Sequence, residues 1–268
     1  MLAAESGAST RFRASGEAVD RAARAIVFDS GLGGVTVLRE IRALRPDVDM
    51  LYAADDAGFP YGAWSEPALV ERVLAVMERL IGDRPPDAVV IACNTASTLV
   101  LAPLRARWPG LPFVGTVPAV KPAAAASTSK LISVLATPGT VSRDYTRKLV
   151  DDFAAGCEVT LVGSTRLAGL AEAAMRGRAA DDSDILAEIL PCFVEKDGRR
   201  TDAVALACTH YPLLLDAFRR LAPWPVAWID PAPAIARRVD WVLAEQDSGG
   251  GRALIGRLRV HVSARRRA

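Results

Sequence analysis

Histidine is almost absent from this chain of 268 residues, which has two. Cysteine is scarce at four, with no Cys-x-x-Cys pair, so no metal site is expected. Lysine is nearly as rare: Lys121, Lys130, Lys148 and Lys196 are the whole set. None stands in a glycine-rich cofactor setting, which argues against Schiff-base catalysis. No run approaches the ~20 apolar residues of a membrane span. A formal net charge of +2 points to neither a nucleic-acid nor a membrane partner. Residues 1–24 mix Glu5, Arg11, Arg13, Glu17, Asp20 and Arg21 and lack an apolar signal core. They read as a flexible extension with a helix around 16–24, and Arg265-Arg266-Arg267 reads as a solvated tail. A cytoplasmic location with reduced cysteines is expected, and Cys157 and Cys192, in ordinary contexts, read as structural.

What the chain does have is a phrase used twice. Asp87-Ala88-Val89-Val90-Ile91-Ala92-Cys93 leads into Asn94-Thr95, and Asp202-Ala203-Val204-Ala205-Leu206-Ala207-Cys208 leads into Thr209-His210. Each is a continuous apolar run, as in a buried parallel strand. In open α/β sheets ligands bind beyond the carboxyl ends of strands, which is where each cysteine falls. Around these runs strands and helices alternate. Strands are read at 25–29, 50–54, 88–92 and 113–117, then again at 131–136, 158–162, 203–207 and 225–229. Helices are read at 35–44, at 66–81 with Ser65 as cap, from 140 to 154, at 166–175 and at 184–194. A C-terminal helix and strand over 231–261 return to the first half. The expected fold is α/β, with two pseudo-symmetric lobes, each a mainly parallel sheet flanked by helices, and the active site between them. The first lobe takes residues 25–116 and 230–268, the second 117–229.

The strand ends would bring together Asp29, Ser30, Asp55, Cys93, Asn94 and Thr95 from one lobe, and Thr137, Thr140, Cys208, Thr209 and His210 from the other. Gly31-Leu32-Gly33-Gly34 before a helix suits an anion held by backbone N–H groups. It matches neither dinucleotide nor P-loop spacing, and a carboxylate fits as well as a phosphate. Cys208 with His210 resembles a nucleophile–base pair, but that reading leaves Cys93 idle. Two opposed thiols suit inversion of a carbon acid, one taking a proton as the other gives one. A free thiol has a pKa of about 8.5, so each needs a helper. Asp29 is expected beside Cys93 and His210 beside Cys208.

Four segments together resemble the glutamate racemase family: Asp29-Ser30-Gly31-Leu32-Gly33-Gly34, Phe59-Pro60-Tyr61-Gly62, Cys93-Asn94-Thr95-Ala96-Ser97 and Cys208-Thr209-His210-Tyr211-Pro212-Leu213-Leu214. They occur in the family's order, within residues 26–242. The resemblance implies cofactor-independent interconversion of L- and D-glutamate, the D-form feeding peptidoglycan synthesis. It assigns Cys93 and Cys208 as the acid/base pair, with Asp29, His210 and Glu172 in support. Substrate-holding residues would be Ser30, Asp55, Tyr61, Gly62, Asn94, Thr95, Thr137, Thr140 and Thr209. It also implies a homodimer and, because of the extension, a cell-wall precursor as activator. Gly58 stands where many members carry arginine, Ala207 where glycine is common, Ser164-Thr165 where Cys-Pro is common, and Asp230-Pro231 where Asp-Ser is frequent. Three other readings remain open at this stage. They are a racemase of aspartate or another acidic amino acid, a regulatory protein that binds DNA gyrase, and two cysteines that merely fill the core.

Overall fold

The computed structural model describes residues 22–82, 84–245 and 255–263. The arginines at 265–267 and most of the helix read over 16–24 lie outside them; Arg24 itself opens a strand.

The first half runs β1 (Arg24–Asp29), α1 (Val35–Leu44), β2 (Asp49–Ala54), α2 (Glu66–Ile81), β3 (Ala88–Ile91), α3 (Asn94–Arg107) and β4 (Phe113–Gly115). After α4 (Val120–Ala126) the second half runs β5 (Leu131–Ala136), α5 (Pro138–Val141), α6 (Asp144–Phe153), β6 (Glu158–Gly163), α7 (Leu167–Met175) and α8 (Asp182–Ile189). A short hairpin of β7 (Glu195–Lys196) and β8 (Arg199–Arg200) precedes β9 (Ala203–Ala207), α9 (Leu215–Leu221) and β10 (Ala227–Ile229). The described chain ends with α10 (Ala232–Ala244) and β11 (Leu258–Val262).

Two parallel sheets result, ordered β11-β2-β1-β3-β4 and β6-β5-β9-β10. Without β11 the orders coincide strand for strand. In β1, Ala25 and Val27 join the core under α1 and α10, while Ile26 and Phe28 join the core under α2 and α3. Both faces of the strand are thus dry, and that is why its apolar run is unbroken. Burying each such aliphatic or aromatic side chain contributes about 1.5–3 kcal/mol. The aspartate that opens each repeated phrase has a matching task. Asp87 Oδ2 accepts the amide of Arg24 at 2.7 Å, at the head of β1. Asp202 Oδ2 accepts the amides of Thr128 and Ser129, both at 2.7 Å, just before β5.

The two halves exchange a helix. α10 follows the second sheet's last strand but packs on α1, β3 and β4, whereas α4 follows β4 and packs on the second sheet and α6. Each lobe's core is therefore completed by chain arriving from the other.

Several expected boundaries shift. Helix 184–194 stops at Ile189, and Pro191 lies in a following 3₁₀ turn, because it has no N–H to continue an α-helix. The hairpin after it turns at Asp197-Gly198 with φ of 52° and 70°, the two-residue pattern of a type I′ turn. The helix expected from 140 to 154 is two, α5 and α6, and the 113–117 strand ends at Gly115. Ser65 precedes α2 as expected, yet its hydroxyl makes no capping bond. Helices α3 and α9, absent from the sequence reading, follow the two cysteine strands.

Candidate active site

In each sheet the connections leave the first strand in opposite directions, β1 toward β2 on one side and toward β3 on the other, with β5, β6 and β9 repeating the pattern. A crevice opens where such a reversal occurs. Asp29 and Ser30 end β1 and Cys93 follows β3; Thr137 follows β5 and Cys208 follows β9. The two crevices face each other and form one narrow cleft. Ser30, Tyr61, Gly62, Cys93, Asn94, Thr95, Thr137, Cys208, Thr209 and His210 line it, together with Phe59, Pro60 and Ala168.

The Cys93 thiol donates to Ser30 Oγ at 3.6 Å. Burial, then the nearby Asp29 charge, push its pKa up to about 12, so it is held protonated. Asp29 is itself fully buried, and desolvation raises its pKa. Its Oδ2 accepts the amides of Gly31 at 3.3 Å and Gly34 at 3.0 Å, and its Oδ1 accepts the Thr209 hydroxyl from the other lobe at 3.2 Å.

Cys208 Sγ lies 3.8 Å from His210 Nδ1, and His210 Nε2 lies 2.9 Å from Glu172 Oε1 on α7. Burial disfavours a charged ring, but hydrogen bonds to Cys208 and Glu172 outweigh it and push the His210 pKa up to about 10. The Gly33 amide also points at Nε2, at 3.2 Å. A nitrogen that gives its proton to Glu172 has no lone pair for that amide. The shorter, charge-assisted contact with Glu172 decides the ring's state. Glu172 resists its own burial through His210 and the Leu32 amide, at 2.6 Å, and its pKa is lowered. Its Oε2 pairs with Arg176 at 2.8 Å, and Arg176 reaches across the cleft to Asp56 at 3.0 Å. Arg143 and Glu66 make a second ion pair between the lobes.

The glycine-rich loop departs from its reading. Its amides do meet carboxylates, but these are the protein's own Asp29 and Glu172. A Cβ on Gly33 would lie 2.5 Å from the His210 ring, so the second lobe can approach this loop only where a side chain is missing.

Asp55 lies behind the cleft wall. It does not line the cleft; its Oδ2 accepts the Tyr61 hydroxyl at 2.6 Å, and Arg72 binds both its oxygens. Tyr61 consequently presents its ring rather than its hydroxyl. Thr140 sits one layer back, where its hydroxyl meets those of Thr137 at 3.1 Å and Thr95 at 3.2 Å. Asp29 and Glu172 likewise act from behind the lining. Asn94 is buried against the cleft, and neither Nδ2 nor Oδ1 has a partner among the described residues. Such a group costs about 1–3 kcal/mol unless a ligand pairs it.

Phe59, whose ring centroid lies 5.3 Å from that of His210, was legible as a neighbour of Tyr61-Gly62. Ala168, Arg72 and Arg176 carried no sequence signal. Cys192 lies in one hydrophobic core of the second lobe and Cys157 is half-buried against the other. No group of three His, Cys, Asp or Glu side chains among the described residues could hold a metal ion. None of the described helices is long and apolar enough to cross a membrane.

Residues 36–239 match the family model described as Asp/Glu/Hydantoin racemase. The chain is 62% identical over 213 residues to a glutamate racemase of Rhizobium meliloti (strain 1021), covering 80% of this chain and 77% of that protein. It is 59% identical over 218 residues to the glutamate racemase of Brucella suis biovar 1 (strain 1330), covering 81% and 79%. Its fold superposes on Escherichia coli glutamate racemase in complex with L-glutamate and the activator UDP-MurNAc-ala with a TM-score of 0.82, at 37% identity over 91% of this chain and 90% of that one. The glutamate racemase of Thermus thermophilus in complex with β-chloro-D-alanine gives 0.70, at 29% identity over 91% and 89%.

Proposed function

The chain belongs to the Asp/Glu/Hydantoin racemase family, and we propose on that footing that it is an isomerase that interconverts L- and D-glutamate and supplies the D-form for peptidoglycan. The observation that carries the mechanism is two buried thiols that line one cleft in unlike surroundings. Cys93 keeps its proton, while Cys208 sits beside an imidazole that Glu172 helps keep charged. A cation there offsets the negative charge the Cys208 sulfur bears as a base.

From L-glutamate, Cys208 takes the α-proton: the Cα–H bond breaks and an S–H bond forms. Cys93 gives its proton to the opposite face, breaking its S–H bond and forming the new Cα–H bond. The same steps run backward from D-glutamate, starting from the Cys93 thiolate and Cys208 thiol that a forward turnover leaves, and proton exchange with water interconverts the two enzyme forms. The thiols do this acid/base work without a cofactor. Ser30, Thr95, Thr137, Thr209 and the unpaired amide of Asn94 offer hydrogen bonds to the substrate's carboxylates and ammonium.

Proton NMR of L-glutamate in heavy water tests this. Loss of the Cα–H signal with appearance of D-glutamate supports the assignment, and faster exchange with L-aspartate would replace the substrate. The activator in the E. coli complex suggests that a cell-wall precursor also stimulates this enzyme. Adding UDP-MurNAc-Ala to the same reaction reads that directly, and an unchanged rate rejects it.

A further inference from the structure

Arg72 lies on α2, outside the cleft lining. Its Nε donates to Asp55 Oδ2 at 2.5 Å and its Nη2 to Oδ1 at 2.6 Å, so the guanidinium grips both oxygens. The same carboxylate accepts the Tyr61 hydroxyl at 2.6 Å and the Ser263 hydroxyl at 3.0 Å. The guanidinium carbon of Arg72 stands 5.1 Å from the centre of the Trp64 ring, and Trp64 Nε1 donates to the Gly58 carbonyl at 2.8 Å. Residues 55–64 therefore fold around one guanidinium, and the stretch they enclose, residues 59–62, forms one wall of the cleft.

Space tells the same story. A Cβ on Gly58 would fall 2.4 Å from Arg72 Nε and 2.7 Å from Asp55 Oδ2. Residue 58 lacks a side chain because the arginine from α2 runs through the volume that side chain would fill. A guanidinium grown from position 58 would enter the same space beside the same carboxylate.

We propose that Arg72 is a positioning residue of the racemase cleft, holding the Tyr61-Gly62 wall in place through Asp55, with Gly58 as its obligatory spatial partner. The proposal rests on the racemase reading. Without Arg72, Asp55 is a buried carboxylate served only by hydroxyls, and the loop has little reason to keep this shape. Neither thiol nor His210 touches Arg72, so the loss falls on substrate binding, alike for both enantiomers.

Three variants test it: Arg72→Met, Arg72→Lys, and the swap Gly58→Arg with Arg72→Met. A charge-assisted bond of about 1.5–3 kcal/mol corresponds to a KM roughly 10–100-fold higher in Arg72→Met. The pH dependence of kcat should not move. Arg72→Lys should lie between, having lost the paired grip, and the swap should recover KM to within about threefold of the parent. Hydrogen–deuterium exchange over residues 55–64 reads the same loop without any reaction. It should quicken in Arg72→Met and slow again in the swap. An unchanged KM and exchange rate in Arg72→Met, a swap no better than Arg72→Met, or a shifted pH profile each overturns the proposal. A parent protein inactive on glutamate would instead sink the racemase reading, and the exchange arm would still decide the role of Arg72.

Discussion

Replacing Glu172 with Gln removes a charge and almost no shape. The amide oxygen can still accept from Leu32 N–H and His210 Nε2, which now lie 2.6 Å and 2.9 Å from Oε1. The half-exposed Arg176 loses its ion pair with Oε2. At His210 what is lost is the charge assistance, about half of a bond worth about 1.5–3 kcal/mol, leaving a deficit of roughly 1 kcal/mol there. That is close to one unit of pKa and somewhat less than tenfold in rate. The sign follows from His210. Its folded pKa of about 10 lies above the ordinary histidine value of 6.5, so the charged ring stabilises the fold fully below the lower figure and stops doing so as pH rises through the upper one. The variant should therefore melt lower near neutral pH, with the difference closing above pH ~10. The alkaline limb of turnover should move down by about one unit.

Initial rates by circular dichroism from both enantiomers measure this. The two enantiomers have equal free energy, so kcat/KM must fall alike from both sides. The asymmetry belongs in kcat and in the α-deuterium isotope effect, which should grow for L-glutamate, the substrate assigned to Cys208. A slower enzyme with an unmoved alkaline limb and equal isotope effects would refute the idea that Glu172 works through the charge on His210.

Cys93→Ser and Cys208→Ser should each lose about 10²–10⁴-fold in racemisation while keeping the parent's melting temperature to within a few degrees; retained turnover would return both cysteines to the core. Asn94→Leu replaces two buried unpartnered polar atoms with a side chain of similar size. It should be as stable as the parent or more so, by up to about 1–3 kcal/mol in urea melts, yet bind glutamate more weakly, with KM as the readout. Thr209→Val removes the hydroxyl that one lobe gives to Asp29 of the other, at a cost of about 1–2 kcal/mol in urea melts. Because Asp29 titrates with a raised pKa, that penalty should shrink in acid as the carboxyl becomes neutral. Asp55 runs the opposite way. Burial would raise it, but Arg72 and Tyr61 hold it below the usual carboxylate range. The stability it contributes is present above its unfolded pKa near 3.8 and is lost as pH falls through the lower folded value, an acid transition that Arg72→Met should bring to higher pH.

The apolar runs, their repetition and the cysteine at each end were legible in sequence because parallel strands buried on both faces permit little else. The same local logic made the Asp197-Gly198 turn readable in principle. The helix from 140 to 154 broke, and strand 113–117 shortened, because tertiary packing sets such ends more than propensity does. The predicted strand ends, and then the order of the motifs, brought Cys93, Cys208, Asp29 and His210 into one list. Only the folded molecule decided which of its members touch the cleft. It turned the glycine loop's amides onto Asp29 and Glu172, moved Asp55 and Thr140 one layer back, and drew Arg72 and Arg176 in from helices whose sequence says nothing of them. The reason is physical. A strand's burial is written in its own residues, whereas a long side chain's partner is set by which remote backbone comes near it, at Gly33 for His210 and at Gly58 for Arg72.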